Sequence, residues 1–404
     1  MSCPTVAAAV PQAAARRTLS PTAAFGLQTS ITVSFLAGSS APTPLYTTYQ
    51  AMWGFSSVMV TVVFGAYAIA VLAALLVAGR LSDHVGRRPV LIVATLVQAA
   101  TMALFACADG LDTLLWARVL QGLSGGAAMA AVGAGLLDLH KTHGAVANSV
   151  APPLGTASGA VVAGLMVQYL PAPTHLVYAV LGVLILLQGL AVRYMAETAT
   201  PRPGAWASLK PQLRLPAHVR GPLLRAVPAL VATWSLAGFY GALSPSLVRG
   251  VLGTAAPLLA GLTLFVLAIS GGSAVLLLRN LAPRTMTTVG ALALLLGLSL
   301  TLVALSQRSM ALLLCGASIA GVGFGAGFQG AVRSVVVLAE PHERAGVLSL
   351  VFVVAYLAMG LPAVGAGYVL TRTGDVLTTA GDFSALVMLL AALALAGAWW
   401  KQPR

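Results

Sequence analysis

The chain has 404 residues, 59% of them hydrophobic and only 8% charged, with a formal net charge of +13. A soluble domain needs about 25% charged residues to cover its surface, so a soluble enzyme is excluded. Excess Lys and Arg of this kind gather in the cytoplasmic loops of membrane proteins, and no nucleic acid is needed to explain them. Cys3, Cys107 and Cys315 lie far apart; they form no CxxC pair and indicate neither a metal site nor a disulfide framework. No cofactor is expected.

Residues 1–19 are Ala-rich, carry Arg16 and Arg17, and read as a short cytoplasmic tail. A spanning helix needs about 20 mostly apolar residues. Such segments fall at 22–45, 56–78, 89–107, 113–137, 146–169 and 175–195. A second set follows at 222–248, 256–278, 285–305, 309–338, 345–370 and 381–400. The fold class is therefore an all-α membrane protein with 12 transmembrane helices in two six-helix halves. Ser20-Pro21 suits an N-cap followed by a first-turn proline, and Ser56 suits another N-cap. The polar break at 196–220 mixes Pro201, Pro203, Pro211 and Pro216 with Arg202, Lys210, Arg214 and Arg220. It has no apolar period and reads as a cytoplasmic linker between an N-terminal half, 1–195, and a C-terminal half, 221–404.

Charge placement orients this map. With both termini cytoplasmic, 17 of the 22 Lys and Arg fall inside, Arg249, Arg308 and Arg372 fall outside, and Arg118 and Arg333 fall within helices. Such a split follows the positive-inside rule. The halves also repeat faintly at an offset of about 203, which sets Gly155, Gly159 and Gly164 against Ala358, Pro362 and Gly367, and Lys141 against Arg344. Internal repeats are typical of transporters that rock two halves around a site near the membrane midplane.

The most specific motif is Gly79-Arg80-Leu81-Ser82-Asp83-His84-Val85-Gly86-Arg87-Arg88-Pro89-Val90-Leu91, between the second and third helices. Gly79 ends a helix where backbones approach closely and Gly86 permits a tight turn. Asp83 can pair with Arg87 or Arg88, or sit at a helix N-terminus. The run resembles motif A of the major facilitator superfamily, G-x-L-[SA]-D-x-x-G-R-[RK]-x-x-L. Arg118-Val119-Leu120-Gln121-Gly122 is similar to that family's motif B, R-x-x-Q-G. Arg118 and Gln121 share a helix face. The sequence leaves two placements for Arg118, in a central cavity or snorkelling to the interface. Gly155 through Gly164 resembles motif C, G-x-x-x-G-P-x-x-G-G, with Ala160 where that motif has proline and Ala163 where it has glycine. Small residues at such spacing also serve close helix packing.

The second copy of motif A expected near Arg279 and Arg284 is degraded, with neither aspartate nor glycine. Glu343 and Arg344 read as caps of the eleventh helix. Tyr356 and Pro362 suit a kinked, cavity-lining helix or ordinary core. None of the nine carboxylates falls mid-membrane; Asp138, at the inner end of the fourth helix, is nearest and is the candidate proton carrier.

The resemblance implies a secondary transporter working by alternating access. The substrate cavity or coupling residues would be Arg118, Gln121, Asp138, Arg333 and Tyr356, and the gate Gly79, Asp83, Gly86, Arg87 and Arg88. Gly155, Gly159 and Gly164 would pack helices. Motif C points to proton-coupled efflux across the cell inner membrane; a symporter or facilitator importing a sugar or organic anion is the alternative. Expected partners are a small-molecule substrate, protons and the lipid bilayer, with the chain acting as a monomer. The scattered histidines and the lack of HExxH, GxSxG or Walker A sequences give no enzyme active site.

Overall fold

Apolar runs interrupted by proline and glycine fold here entirely into helices. The computed structural model describes residues 18–399 except 212, 214 and 341. The tail with Arg16 and Arg17, together with Arg214, Lys401, Arg404 and Cys3, lies outside the described residues. The N-terminal half comprises α1 (Pro21–Ser40), α2 (Tyr46–Trp53), α3 (Ser57–Ala78), α4 (Leu81–Val85), α5 (Arg87–Ala106), α6 (Leu111–Leu139), α7 (Lys141–Tyr169) and α8 (Pro173–Val192). After the short α9 (Ala205–Ser208), the C-terminal half comprises α10 (Ala217–Leu252), α11 (Pro257–Leu277), α12 (Pro283–Ser306), α13 (Met310–Val336), α14 (Arg344–Thr373) and α15 (Val376–Trp399).

Eleven of these helices are long and apolar enough to cross a membrane. The remaining long helix, α1, spans 20 residues but is rich in hydroxyls. Those hydroxyls turn back on their own helix: Thr29 donates to the Phe25 carbonyl, Ser34 to that of Ser30 and Ser39 to that of Leu36. Internal bonding of this kind lets a polar helix sit among apolar neighbours, and α1 packs against α6, α7 and α8. With α1 the long helices among the described residues number twelve, six in each half.

The structure corrects the sequence map in three places. The first span stops at Ser40 rather than 45, because Pro42 and Pro44 cannot donate to a continuing ladder; a 3-10 turn, Thr43–Leu45, leads into α2. The linker ends sooner than 220, since α10 starts at Ala217 directly after Pro216. Glu343 occupies the N-cap position of α14 without a capping bond; its carboxylate instead accepts from the Glu340 amide and faces His218 of α10. At the predicted caps, Ser20 accepts from the Ala23 amide, whereas Ser56 makes no side-chain cap.

The internal repeat is visible in helix order. The last two helices of each half match in register, since Lys141 of α7 and Arg344 of α14 differ by 203, as do Pro173 of α8 and Val376 of α15. One core forms within the N-terminal half, around Phe35, Leu91, Met102, Phe105 and Tyr178. A second, around Phe239, Tyr240, Leu298 and Phe383, takes in Phe64 and Ala68 of α3 and Ala160 of α7. The halves thus meet along two helix pairs, α3 with α14 and α7 with α11.

Candidate functional site

One end of the bundle carries the α3–α5 loop, the 193–216 connection and the starts of α7, α10 and α14; it is called the motif end here and the other the far end. At the motif end the loop is tied by charge. Gly86 has φ +102°, where a side chain is strained, and a Cβ there would meet the Glu197 carboxylate. The Arg87 side chain, only 9% exposed, forms an ion pair with Asp83 and a second with Asp138 at 3.2 Å. It also donates to the Ser82 hydroxyl at 2.7 Å. Asp138 in turn accepts from the Thr198 hydroxyl. Among the described residues Arg88 pairs with no carboxylate through its side chain; its guanidinium donates to the Arg193 carbonyl.

Glu197 was not singled out by sequence, yet it organises this end. Its two oxygens accept from the Arg87 amide at 2.7 Å and the Arg88 amide at 3.0 Å, at the first turn of α5. A carboxylate there satisfies amides that no helical carbonyl reaches and meets the positive end of the helix dipole. The 193–216 connection is further held by the Arg202 amide, which donates to the His84 carbonyl, and by His84 Nδ1, which donates to that of Pro203. The signal available in sequence was scarcity: Glu197 is one of nine carboxylates and directly follows the sixth long helix.

In the C-terminal half the equivalent corner has no ion pair of this kind among the described residues. Arg333, near the end of α13, donates instead to the carbonyls of Arg279 and Leu281 at 2.9 and 3.2 Å. The degraded second motif is therefore matched by a cation holding backbone carbonyls.

Of the five residues grouped by sequence as cavity or coupling, Arg118 and Gln121 are brought together and the other three stand apart from them. Asp138 and Arg333 sit at the motif end, each committed within its own half. Arg118 is fully buried and reaches neither lipid nor interface. Its guanidinium donates to the Ser39 carbonyl at 2.9 Å, to Gln121 Oε1 at 2.7 Å and to the Tyr46 hydroxyl. It also lies over the rings of Tyr46, Tyr67 and Phe105, each within 5.8 Å of the centroid. Gln121 donates to the Gly38 carbonyl, and Ser124 links to Gln98. Only Tyr356 lies toward the boundary between the halves, one turn before Gly360 of α14, which abuts Gly65 of α3.

Around Tyr356 the C-terminal half presents rings. Trp234 of α10 stands 4.8 Å from Tyr356 and 5.4 Å from Phe328, with Phe324 beyond at 6.2 Å. The Trp234 indole N–H is buried and, among the described residues, has no partner. An aromatic wall with one donor unpartnered among the described residues thus stands toward the boundary, and in the other half the Arg118 charge lies over the Tyr67 ring. Sequence alone gave Trp234, Phe324 and Phe328 no distinction from core aromatics.

The halves are joined by hydrogen bonds toward the far end. The Val58 amide donates to Thr371 at 2.9 Å, Thr43 to the Gly241 carbonyl at 2.9 Å, and the Leu258 amide to Gln168 at 3.4 Å. The α7 glycines permit close approach: Gly155 and Gly159 abut the α1 backbone at Val33 and Ala37, and Gly164 abuts Pro257 and Leu258 of α11.

Two six-helix membrane bundles meeting face to face over a mixed aromatic and polar boundary define a membrane transporter. The model of the Major Facilitator Superfamily matches residues 29–363, and the chain belongs to that superfamily. Solved structures share the fold at low identity. A variant of the nucleoside transporter NupG matches at 13% identity and a TM-score of 0.73, over 93% of this chain and 99% of that one. A bacterial homolog of the human lysosomal transporter Spinster, inward-facing and occupied, matches at 11% and 0.74, over 93% and 96%. A variant of the peptide transporter POT in complex with sulfate matches at 15% and 0.73, over 93% and 94%. Among curated proteins, none matches the sequence.

Proposed function

We propose that the protein is an alternating-access carrier that exports a planar, uncharged or anionic small molecule in exchange for protons. The observation that carries the substrate class is the Trp234–Tyr356 pair at 4.8 Å with its unpartnered indole donor. Rings stack on planar ligands, and a buried unpaired N–H favours a ligand that brings an acceptor. Arg118, over the Tyr67 ring in the opposite half and with no carboxylate beside it among the described residues, biases the site against cations.

The 17-to-3 distribution of Lys and Arg supports placing the motif end, both termini and residues 196–220 in the cytoplasm. On that orientation, 1–195 and 221–404 are the rocking units, and bonds such as Val58 to Thr371 close the outer side. The gate is the Gly79 to Arg88 loop, whose Arg87 is held within its own half by Asp83 and Asp138. Export rests on the motif C resemblance of Gly155, Gly159 and Gly164, and Asp138 is the candidate proton carrier.

One observation favours import of a sugar or organic anion by a facilitator or symporter. All nine carboxylates are among the described residues, and none stands beside the Trp234–Tyr356 wall. Counterflow in proteoliposomes tests both readings. A panel of planar anions and neutral aromatics should exchange, organic cations should not, and Trp234→Ala should cut exchange severely. Exchange of cations alone would sink the substrate class. Uptake into inverted vesicles that is indifferent to a protonophore would remove proton-coupled export and leave the facilitator.

A further inference from the structure

A second polar site lies away from the boundary between the halves. At the motif end of the C-terminal half, α10, α12, α13 and α15 enclose a cleft of about 280 Å³. Arg225 and Arg284 line it together with Thr287 and Ser334, and no carboxylate is among its described lining residues. Ala331 and Gly397 supply the space by their small size.

The two guanidinium groups are positioned rather than loose. Arg284 stacks on Trp399 with its central carbon 3.9 Å from the ring centroid, and Trp399 Nε1 donates to Thr288 at 3.2 Å. A guanidinium covered on its face keeps its in-plane N–H groups directed outward at the edge. Arg225 Nε donates to the Gly221 carbonyl at 3.3 Å, which tethers that side chain along α10. Arg284 also stands in the first turn of α12, where the helix dipole is positive. The rim is apolar: Leu338 lines the cleft and is 48% exposed, and Trp399 is 60% exposed. Tryptophan with this placement is typical of the membrane–water interface.

We propose that this cleft binds the phosphate of an anionic phospholipid from the leaflet at the motif end. Arginine forks match phosphate oxygens in geometry and charge, and basic pockets between transmembrane helices recognise anionic headgroups. The apolar rim gives the acyl chains a path along Leu338, which free phosphate does not use. The site is independent of the transported substrate.

Native mass spectrometry on the full-length protein tests the proposal, with phosphatidylglycerol or phosphatidylcholine added to detergent micelles. Phosphatidylglycerol should be retained and phosphatidylcholine lost. Combining Arg225→Gln with Arg284→Gln should weaken phosphatidylglycerol binding about tenfold or more, with the melting temperature in phosphatidylcholine unchanged. Equal retention by wild type and the double variant overturns the proposal. Displacement of the lipid by millimolar inorganic phosphate also overturns it and assigns the cleft to a soluble phosphate. Should the double variant fail to fold, Arg284→Lys decides. It keeps the charge but loses the stacked fork, so retention should fall, and retention equal to wild type overturns the proposal.

Discussion

Arg118 offers the sharpest test of how the N-terminal half is built. It is a fully buried cation with no carboxylate beside it among the described residues, so three acceptors and three ring faces must offset its desolvation. Arg118→Met keeps the length and apolar stem and removes the charge. It strands two acceptors, the Ser39 carbonyl and Gln121 Oε1, while the Tyr46 hydroxyl can rotate. Each stranded buried acceptor costs about 1–3 kcal/mol, so the loss is about 2–6 kcal/mol before the relieved desolvation is subtracted. A net destabilisation of about 2–4 kcal/mol follows. Arg118→Lys should fall between, since a single ammonium lacks the planar fork that reaches all three acceptors. The assay is unfolding of the purified protein in mixed micelles by an SDS titration followed by tryptophan fluorescence. A methionine variant as stable as wild type, or more so, would refute the reasoning and leave Arg118 as a charge kept at a structural cost.

Three further outcomes are expected. Gly159→Val drives a side chain into the α1 backbone at Ala37 and should cost about 1–3 kcal/mol by overpacking in the same titration; an unchanged midpoint would mean that the helices separate freely there. Asp138→Asn removes one of the two carboxylates paired with Arg87. With Asp138 partly exposed it should cost about 1 kcal/mol or less and raise hydrogen exchange in residues 79–88; unaltered protection would show that the loop does not depend on this pair. At the far end, the Thr378 hydroxyl, and after it the Leu377 amide, hold the Asp375 carboxyl below its ordinary value of 3.8. A lowered carboxylate stabilises above its unfolded pKa and loses that contribution as pH falls through the folded value. The start of α15 should therefore fray only in acid below 3.8, read as exchange of the Leu377 and Thr378 amides after correction for the intrinsic rate. Fraying already at pH about 6, well above the ordinary aspartate range, would contradict it.

Twelve helices and their order were legible because long apolar runs leave a chain few alternatives in a membrane. Even α1, the most polar, was found, since its hydroxyls alternate with Ile31, Val33 and Phe35. Its end was misplaced at 45 because hydropathy does not register the break that Pro42 and Pro44 impose on the ladder. The loop from Gly79 to Leu91 stood out by fixed spacing, but its tie to Glu197 did not, because that contact joins residues 110 apart. The sequence set Arg118, Asp138 and Arg333 in one cavity or coupling group, and the structure places them at different depths. Depth along a helix, which separates one buried side chain from two at the motif end, depends on how the bundle is stacked. Trp234 could not be told from a core ring until its neighbours were known.

The central claim, alternating access between halves now closed at the far end, is tested most directly by distances between spin labels. One pair replaces Met52 and Leu252 at the far end, and the other replaces Lys141 and Ala345 at the motif end, all four exposed, with the native cysteines removed. Pulsed dipolar spectroscopy in lipid nanodiscs should show two populations for each pair, with conditions that lengthen the far-end distance shortening the motif-end one. A single unchanging distance at both ends, or changes of the same sign at both, would contradict the account.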